Sequence, residues 1–261
     1  MRGTIIGLIG CGNVGSLVAK AVREGKIRAS IGALFDSKVD RSKLLAHRLG
    51  DPSLAKESFD EFMKSEVQLV VEAASVDAVK QYSERVLKSG KDLMVLSVGA
   101  LLDDGLRARL VSLASKHGCK IIVPSGAIGG LDVLKAGSLG GIESITLTTT
   151  KNPASLGMEE TTERRLVFEG SVERAVELYP RNINVAAALA IASGVRPHVR
   201  IFVDPKIRTN VHEVEVKGAF GEAKFFISNL PSPDNPRTSY LAALSVMRAI
   251  QGIEESIVIG T

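Results

Sequence analysis

The chain has few of the residues that mark specialised classes of protein. Its 261 residues include no tryptophan, three tyrosines, two cysteines and four histidines. No apolar run approaches the roughly 20 residues that a helix needs to cross a bilayer, so we expect no membrane partner. Cys11 and Cys119 do not have the spacing of metal ligands, so we expect no metal site. So few cysteines favour a reduced compartment, and we expect the protein to be cytoplasmic.

Charge is also close to balanced. The chain has 33 lysines and arginines against 29 aspartates and glutamates, a net charge of +4. The basic residues are scattered and form no tract with interleaved aromatics, so nucleic acid is not an expected partner. A hydrophobic content of 45% and a charged content of 24% are ordinary for a globular protein. A chain of this length buries a large core and is expected to divide into two domains.

The most informative stretch follows the apolar run Ile5–Ile9. Gly10 allows a sharp turn after a strand, Gly12 leaves room for a pyrophosphate, and Gly15 lets the next helix approach the strand. Backbone amides at the start of that helix, with its dipole, bind phosphates. The alternative interpretation is a glycine turn without a ligand. The residues that we expect to bind the cofactor here are Gly10, Gly12, Asn13, Val14 and Gly15.

An acid stands at the distance that this motif requires. Asp36 ends the apolar run Ile31–Phe35, about 20 residues after the last glycine, where a carboxylate binds the ribose hydroxyls of the adenosine half. A carboxylate repels a 2′-phosphate and so favours NAD. Lys38 and Arg41 follow closely and offer positive charge to that phosphate. We therefore expect NAD to be preferred and NADP also to be used.

The first half of the chain alternates strand and helix patterns without hairpin signals, which predicts a parallel sheet covered by helices. Small residues follow two of the predicted strands, Ala73 and Ala74 after one and Gly99 after another. Ligands bind at the carboxyl ends of such strands, so these three residues are further candidates for cofactor contact. The alternative is an ordinary strand-to-helix turn. Residues 119–124 are predicted to form a strand.

The pattern changes after Pro124. A glycine-rich stretch, residues 125–130, is either a cofactor-binding loop or an interdomain hinge. Strands with period-two alternation are predicted from there on, together with helices at about 182–192 and 237–251. The fold class is therefore α/β. An N-terminal Rossmann domain is followed by a smaller α+β substrate domain with a mixed or antiparallel sheet.

Proton transfer near neutral pH favours histidine. His47 and His117 lie on predicted helices, and His198 precedes a strand. His212 lies inside a strand, and alternation places it on the same face as Val214 and Val216. It is the histidine most expected to face the covered side of the sheet. The alternative is a structural core histidine.

Several motifs in order along the chain resemble the archaeal and thermophile L-aspartate dehydrogenase family. They are Gly10-Cys11-Gly12-Asn13-Val14-Gly15, Glu72-Ala73-Ala74-Ser75, Ser97-Val98-Gly99-Ala100-Leu101, residues 124–132, residues 180–187, residues 204–213 and residues 235–240. The blocks at 125–130 and 182–184 are more specific than the glycine motif.

The resemblance implies NAD(P)-dependent oxidation of L-aspartate to iminoaspartate, which hydrolyses to oxaloacetate and ammonia or supplies NAD biosynthesis. It implies that His212 is the catalytic histidine and that Ala127 and Asn184 contact the dinucleotide. It also implies a homodimer and a functional link to quinolinate synthase.

Domain limits follow from the same resemblance. The dinucleotide-binding domain is expected at residues 1–124 and about 236–261, because the last helix of such folds returns to the first domain. The substrate and dimerisation domain is expected at residues 125–235.

Ser125, Lys151 and Asn152 are candidates to bind the substrate carboxylates because of their position in loops at the domain edge.

Two rival interpretations stay open. One is a related two-domain reductase acting on homoserine or dihydrodipicolinate, which would have its own substrate-domain signature. The other is a non-catalytic dinucleotide-binding sensor, because a fold alone never establishes chemistry.

Overall fold

The computed structural model describes residues 3–159, 161–179, 184–232 and 235–260. The chain divides into two compact units, Met1–Pro124 with Ser245–Val258 and Ser125–Leu244 with Ile259–Thr261. It re-enters the first unit at Ser245, later than the expected return at about residue 236.

The first unit contains a five-stranded parallel sheet in the order β2-β1-β3-β4-β5. Its strands are β1 (Thr4–Ile9), β2 (Ala29–Phe35), β3 (Leu69–Glu72), β4 (Asp92–Val95) and β5 (Ile121–Ile122). Its helices are α1 (Asn13–Arg23), α2 (Val39–Leu49), α3 (Phe59–Met63), α4 (Val76–Lys88) and α5 (Asp104–His117), with short 3₁₀ helices at Pro52–Leu54 and Val98–Leu102. The predicted parallel sheet is confirmed, although the strand expected at 119–124 is only two residues long.

The order of the strands reverses direction at β1. The chain runs from β1 outward to β2 and then crosses back to β3 on the other side of β1. Ligands of doubly wound sheets bind outside the carboxyl ends of the strands at such a switch point. Val246 and Ile250, near the end of the chain, pack into the core formed by the strands of this unit.

The second unit contains a five-stranded mixed sheet in the order β10-β9-β6-β8-β7. Its strands are β6 (Ile142–Lys151), β7 (Arg165–Ser171), β8 (His198–Val203), β9 (Asn210–Gly218) and β10 (Gly221–Asn229), with a two-stranded sheet of β11 (Pro231–Ser232) and β12 (Asn235–Ser239). Its helices are α6 (Leu131–Gly140), α7 (Val172–Leu178) and α8 (Asn184–Ser193), and the last helix is α9 (Tyr240–Gly252). β6 and β8 are parallel, whereas the other neighbours in the large sheet are antiparallel. The expected mixed sheet is confirmed.

The predicted start of the helix at about 237–251 was wrong. It begins only at Tyr240, because the preceding residues form β12 and pair with β11. The strand β7 and the helix α6 were not predicted from the sequence. The helix predicted at 182–192 begins at Asn184 among the described residues, and residues 182 and 183 lie outside them.

One face of the mixed sheet is covered. In β9 the residues His212, Val214 and Val216 are buried, whereas Glu213 and Glu215 are exposed. The predicted alternation is therefore confirmed. Helix α6 contacts both β9 and α8, and α8 is an alanine-rich helix that is buried along most of its length.

No helix among the described residues is both long enough and apolar enough to cross a membrane.

Candidate active site

The glycine loop after β1 is shaped by close backbone approaches. Gly10 has a φ of +96°, and a Cβ there would lie 2.7 Å from the backbone of Ala73. A Cβ on Gly15 would lie 2.1 Å from the carbonyl oxygen of Gly10. A Cβ on Gly12 would meet no atom within 4 Å, so the space in front of this residue is open. The loop is tight where it packs on the strands and open where α1 begins.

Within the described part of the chain, the first turn of α1 has donors without partners. Gly12 is the N-cap and carries no side chain that could bind the first amides of the helix. The side-chain nitrogen Nδ2 of Asn13 is buried and has no hydrogen-bond partner among the described residues. Val14 packs against the apolar core. Orphan donors at a helix N-terminus suit a phosphate group, so the residues present fit a pyrophosphate.

Asp36 lies at the end of β2 and is only 7% exposed. Its Oδ2 accepts a hydrogen bond from the Cys11 amide at 2.8 Å, and its Oδ1 accepts one from the Lys38 amide at 2.8 Å. The carboxylate is thereby fixed against the glycine loop. Burial, together with the charge of Asp36, raises the pKa of the Cys11 thiol to about 12, so Cys11 is not a nucleophile near neutral pH.

The other small residues of the first unit lie at the carboxyl ends of β3 and β4. Ala74 is exposed and Ala73 is partly exposed, whereas Gly99 is buried in the 3₁₀ helix Val98–Leu102. Glu72, which belongs to one of the family motifs but was not predicted as a site residue, is buried at the end of β3. Its position directly after the wholly apolar run Leu69–Val71 is the sequence feature that could have marked it as a buried acid.

His212 is the buried histidine of the second unit, at 2% exposure. Its Nδ1 lies 3.0 Å from the hydroxyl oxygen of Thr149, its directly opposite neighbour on β6. Burial, helped by the positive charge of Lys151, lowers the pKa of His212 to about 3. The imidazole is therefore neutral near pH 7, and the hydrogen bond to Thr149 fixes the orientation of its ring.

Lys151 ends β6 on the same face as Thr149, two residues away, and is therefore a diagonal neighbour of His212 across the strand pair. It is 6% exposed. Burial lowers the pKa of its ammonium to about 8, because removal from water disfavours the charged form. A cation and a neutral imidazole thus lie together at one end of the covered face.

Two buried asparagines continue this polar end of the sheet. Asn210 and Asn229 are paired across β9 and β10. Asn210 donates to the hydroxyl of Ser239 at 3.2 Å, and Asn229 donates to the carbonyl of Ala127 at 2.9 Å. Ala127, itself only 7% exposed, is therefore held to the same end of the sheet as His212. Thr149 and both asparagines were not predicted as site residues, although alternation along β6 and β9 places Thr149 and Asn210 on the covered face.

The remaining candidates are placed differently. Ser125 is exposed, and Asn184 is partly buried as the first residue of α8. Asn152 caps the 3₁₀ helix Pro153–Leu156 by accepting from the Ala154 amide at 3.1 Å. Its Nδ2 donates to the carbonyl oxygen of Ile207 at 3.3 Å. The oxygen and the nitrogen of the Asn152 side-chain amide are therefore both hydrogen-bonded within the protein, which gives this residue a structural role.

Among the residues that the structure describes, no three His, Cys, Asp or Glu side chains come together as a possible metal site. A doubly wound parallel sheet with a glycine loop and an acid at its switch point is typical of a dinucleotide-binding unit, and a buried lysine and histidine in the second unit are groups that a dinucleotide-dependent oxidoreductase can use.

Comparison with known proteins gives the family. The model for the C-terminal part of aspartate dehydrogenase matches residues 132–253, and that for the NAD-binding domain of homoserine dehydrogenase matches residues 10–124. The L-aspartate dehydrogenases of Methanospirillum hungatei and Methanothermobacter thermautotrophicus are 45% and 44% identical. Each match covers 98% of this chain, and 99% and 98% of those proteins.

A solved structure agrees. The aspartate dehydrogenase of Thermotoga maritima superposes with a TM-score of 0.80 at 30% identity, covering 98% of this chain and 99% of that one. A hyperthermophilic archaeal homoserine dehydrogenase, solved with NADPH, gives a TM-score of 0.61 at 14% identity over 98% of this chain and all of that one, which shows the fold alone. The chain belongs to the L-aspartate dehydrogenase family, and its first unit is an NAD-binding Rossmann domain.

The hydrogen bond between Thr149 and His212 yields a prediction. Thr149→Val keeps the shape of the side chain but leaves a buried ring nitrogen without its partner, so we expect the free energy of unfolding to fall by about 1–3 kcal/mol. Thr148→Val, on the opposite face of the same strand, is the matched control and should change it by less than about 0.5 kcal/mol. Denaturant unfolding followed by circular dichroism measures both. Equal effects of the two variants would contradict the importance of the bond.

Proposed function

We propose that the protein oxidises L-aspartate to iminoaspartate with NAD or NADP, and that water then releases oxaloacetate and ammonia. The α-hydrogen leaves with both electrons of its bond, the amine loses a proton, and the coenzyme supplies the hydride acceptor. The observation that carries the proposal is the buried pair of Lys151 and His212 in the second unit. The near full-length similarity to L-aspartate dehydrogenases supports it.

Lys151 is assigned to a substrate carboxylate. Aspartate carries two carboxylates, and each needs a fixed donor. A buried ammonium forms a strong, charge-assisted hydrogen bond to a carboxylate, because little water competes for either group. Ser125 remains a further candidate at an exposed loop, whereas Asn152 is the weakest of the three because its amide is already bonded on both sides.

His212 is assigned the role of proton acceptor. The neutral imidazole accepts a proton from the substrate amine, or from water during hydrolysis of the imine. In the free protein its pKa is low partly because Lys151 is charged. A carboxylate bound to Lys151 offsets that charge and so raises the pKa of His212. Substrate binding thereby makes His212 a stronger base in the complex in which it accepts the proton.

The dinucleotide is assigned mainly to the first unit. Gly10, Gly12, Asn13, Val14 and Gly15 would hold the pyrophosphate, with Asp36 on the adenosine ribose. Ala73, Ala74 and Gly99 would border the nicotinamide half. The family resemblance assigns Ala127 and Asn184 to the dinucleotide.

We also propose that the protein works as a cytoplasmic homodimer and passes iminoaspartate to quinolinate synthase for NAD biosynthesis. The basis is the family resemblance and the instability of the imine in water. NAD is proposed as the preferred coenzyme, with NADP also used.

The reaction is tested by following nicotinamide absorbance with L-aspartate and NAD or NADP, and in reverse with oxaloacetate, ammonia and the reduced coenzyme. We expect turnover in both directions. Homoserine has a hydroxyl in place of the second carboxylate, and L-glutamate has its second carboxylate one methylene further away, so we expect kcat/KM to be at least about 10-fold lower with either. Reduced-coenzyme binding without turnover of aspartate would reject the proposal and favour a sensor.

His212→Gln removes the proton acceptor while keeping much of the side-chain volume. We expect kcat with aspartate to fall about 10²–10⁴-fold, and the dissociation constant of NADH to change by no more than about twofold. His198→Gln, an exposed histidine on β8, is the control and should behave like the parent. An unchanged kcat in His212→Gln would remove this residue from the mechanism.

The ammonium of Lys151 predicts a pH dependence. Succinate, which lacks an amine, should bind more weakly as the pH rises above about 8, because Lys151 then loses its proton. Lys151→Met should bind succinate at least about tenfold more weakly below pH 8 and show little pH dependence. Calorimetry in the presence of NAD measures both, and Lys217→Met, an exposed lysine on β9, should keep the parent profile. Parent-like binding in Lys151→Met would exclude the assignment.

The choice of coenzyme tests Asp36. Asp36→Asn keeps an acceptor oxygen but removes the charge that repels a 2′-phosphate. We expect the ratio of kcat/KM for NADP to that for NAD to rise about tenfold. Asp40→Asn, a nearby exposed acid on α2, should leave the ratio at the parent value. An unchanged ratio in Asp36→Asn would show that the acid does not select the coenzyme.

A further inference from the structure

Glu72, at the carboxyl end of β3, is 1% exposed and has no part in the reaction described above. Its neighbours across the sheet are Ile9 on β1 and Val95 on β4. An apolar residue would satisfy this position in the sheet at lower cost, because burial disfavours a carboxylate. That desolvation also raises the pKa of Glu72 above its ordinary value. A buried acid here therefore needs another explanation.

The explanation lies in the five donors that surround the carboxylate. Oε1 accepts from the amides of Ala74 and Ser75 at 2.8 and 2.9 Å. It also accepts from the hydroxyl of Ser97 at 2.9 Å. Oε2 accepts from the amides of Leu96 and Ser97 at 3.3 and 3.0 Å. One side chain thus fixes the chain that leaves β3 to the chain that leaves β4.

These two segments lie where half of a dinucleotide must run. The glycine loop at the switch point takes the pyrophosphate, and Asp36 at the end of β2 lies on the adenosine side. The other half of the ligand then extends over the ends of β3 and β4, on the opposite side of β1. The segments that Glu72 joins are those that border this half.

We propose that Glu72 is a positioning residue for the nicotinamide half of the coenzyme, because its carboxylate sets the spacing and orientation of residues 73–75 and 96–97. The inference rests on the proposed use of a nicotinamide coenzyme. Glu72 acts through these backbone segments and does not itself touch the reacting atoms. Glutamine cannot replace it, because its NH₂ group would face backbone N–H groups that need an acceptor.

The test compares two ligands on the full-length protein. NADH spans both halves of the site, whereas ADP-ribose lacks the nicotinamide. NADH binding is followed by the fluorescence of the reduced nicotinamide, and ADP-ribose binding is followed by calorimetry. In Glu72→Gln we expect the dissociation constant of NADH to rise at least about tenfold and that of ADP-ribose to change by less than about twofold.

Val71→Ala is the matched control. Val71 precedes Glu72 on β3 and is fully buried in the core, so its truncation destabilises the fold without touching the hydrogen bonds of Glu72. Both dissociation constants should stay at the parent values. Equal weakening of both ligands in Glu72→Gln, or no weakening of either, would overturn the positioning role.

Ser97→Ala keeps the test decisive if Glu72→Gln does not fold. It removes one of the five donors and leaves the four backbone bonds, so we expect NADH to bind about threefold more weakly with ADP-ribose unchanged. Parent-like NADH binding in Ser97→Ala would then overturn the inference. If the unsubstituted protein binds ADP-ribose and NADH and the variants bind both ligands equally well, the positioning role of Glu72 is contradicted but the proposed function is not.

If the unsubstituted protein binds neither ligand, both the positioning role and the proposed function are contradicted.

Discussion

The second unit depends on the burial of a lysine and a histidine at one end of a sheet. Folding lowers the pKa of Lys151 from 10.5 to about 8, so the ammonium costs stability below pH 8, and this cost is relieved as the pH rises from about 8 toward 10.5. Thr149, Asn210 and Asn229 make the same end of the sheet polar. Such an arrangement gives up stability to keep a cation buried, and the proposed function assigns that cation to a substrate carboxylate.

Sequence patterns predicted the part of this site that lies within one strand. Alternation along β9 placed His212 on the covered face, as the structure confirms. The roles of Thr149 and Asn229 were beyond such reasoning, because each depends on a partner far away in the chain. The partner of Thr149 is fixed by the register of β6 with β9, and that of Asn229 by the position of the loop at Ala127.

The elements of the fold also divide into those that a local sequence pattern predicts and those that depend on distant partners. The parallel sheet of the first unit was predictable because each strand and helix carries its own periodic pattern. The start of α9 was not, because residues 235–239 form a strand only through pairing with β11. Glu72 was overlooked for a related reason. Its five donors come from two segments that meet only when β3 and β4 lie side by side.

The account is tested most directly by the protonation state of His212 in the free protein. Proton NMR of the imidazoles, with the His212 signals assigned by their absence in His212→Gln, would follow the His212 signals between about pH 5 and 8. Burial beside the Lys151 ammonium predicts that the His212 signals do not move over this range, because the pKa is about 3. A titration with a midpoint near the ordinary value of about 6.5 would contradict the account.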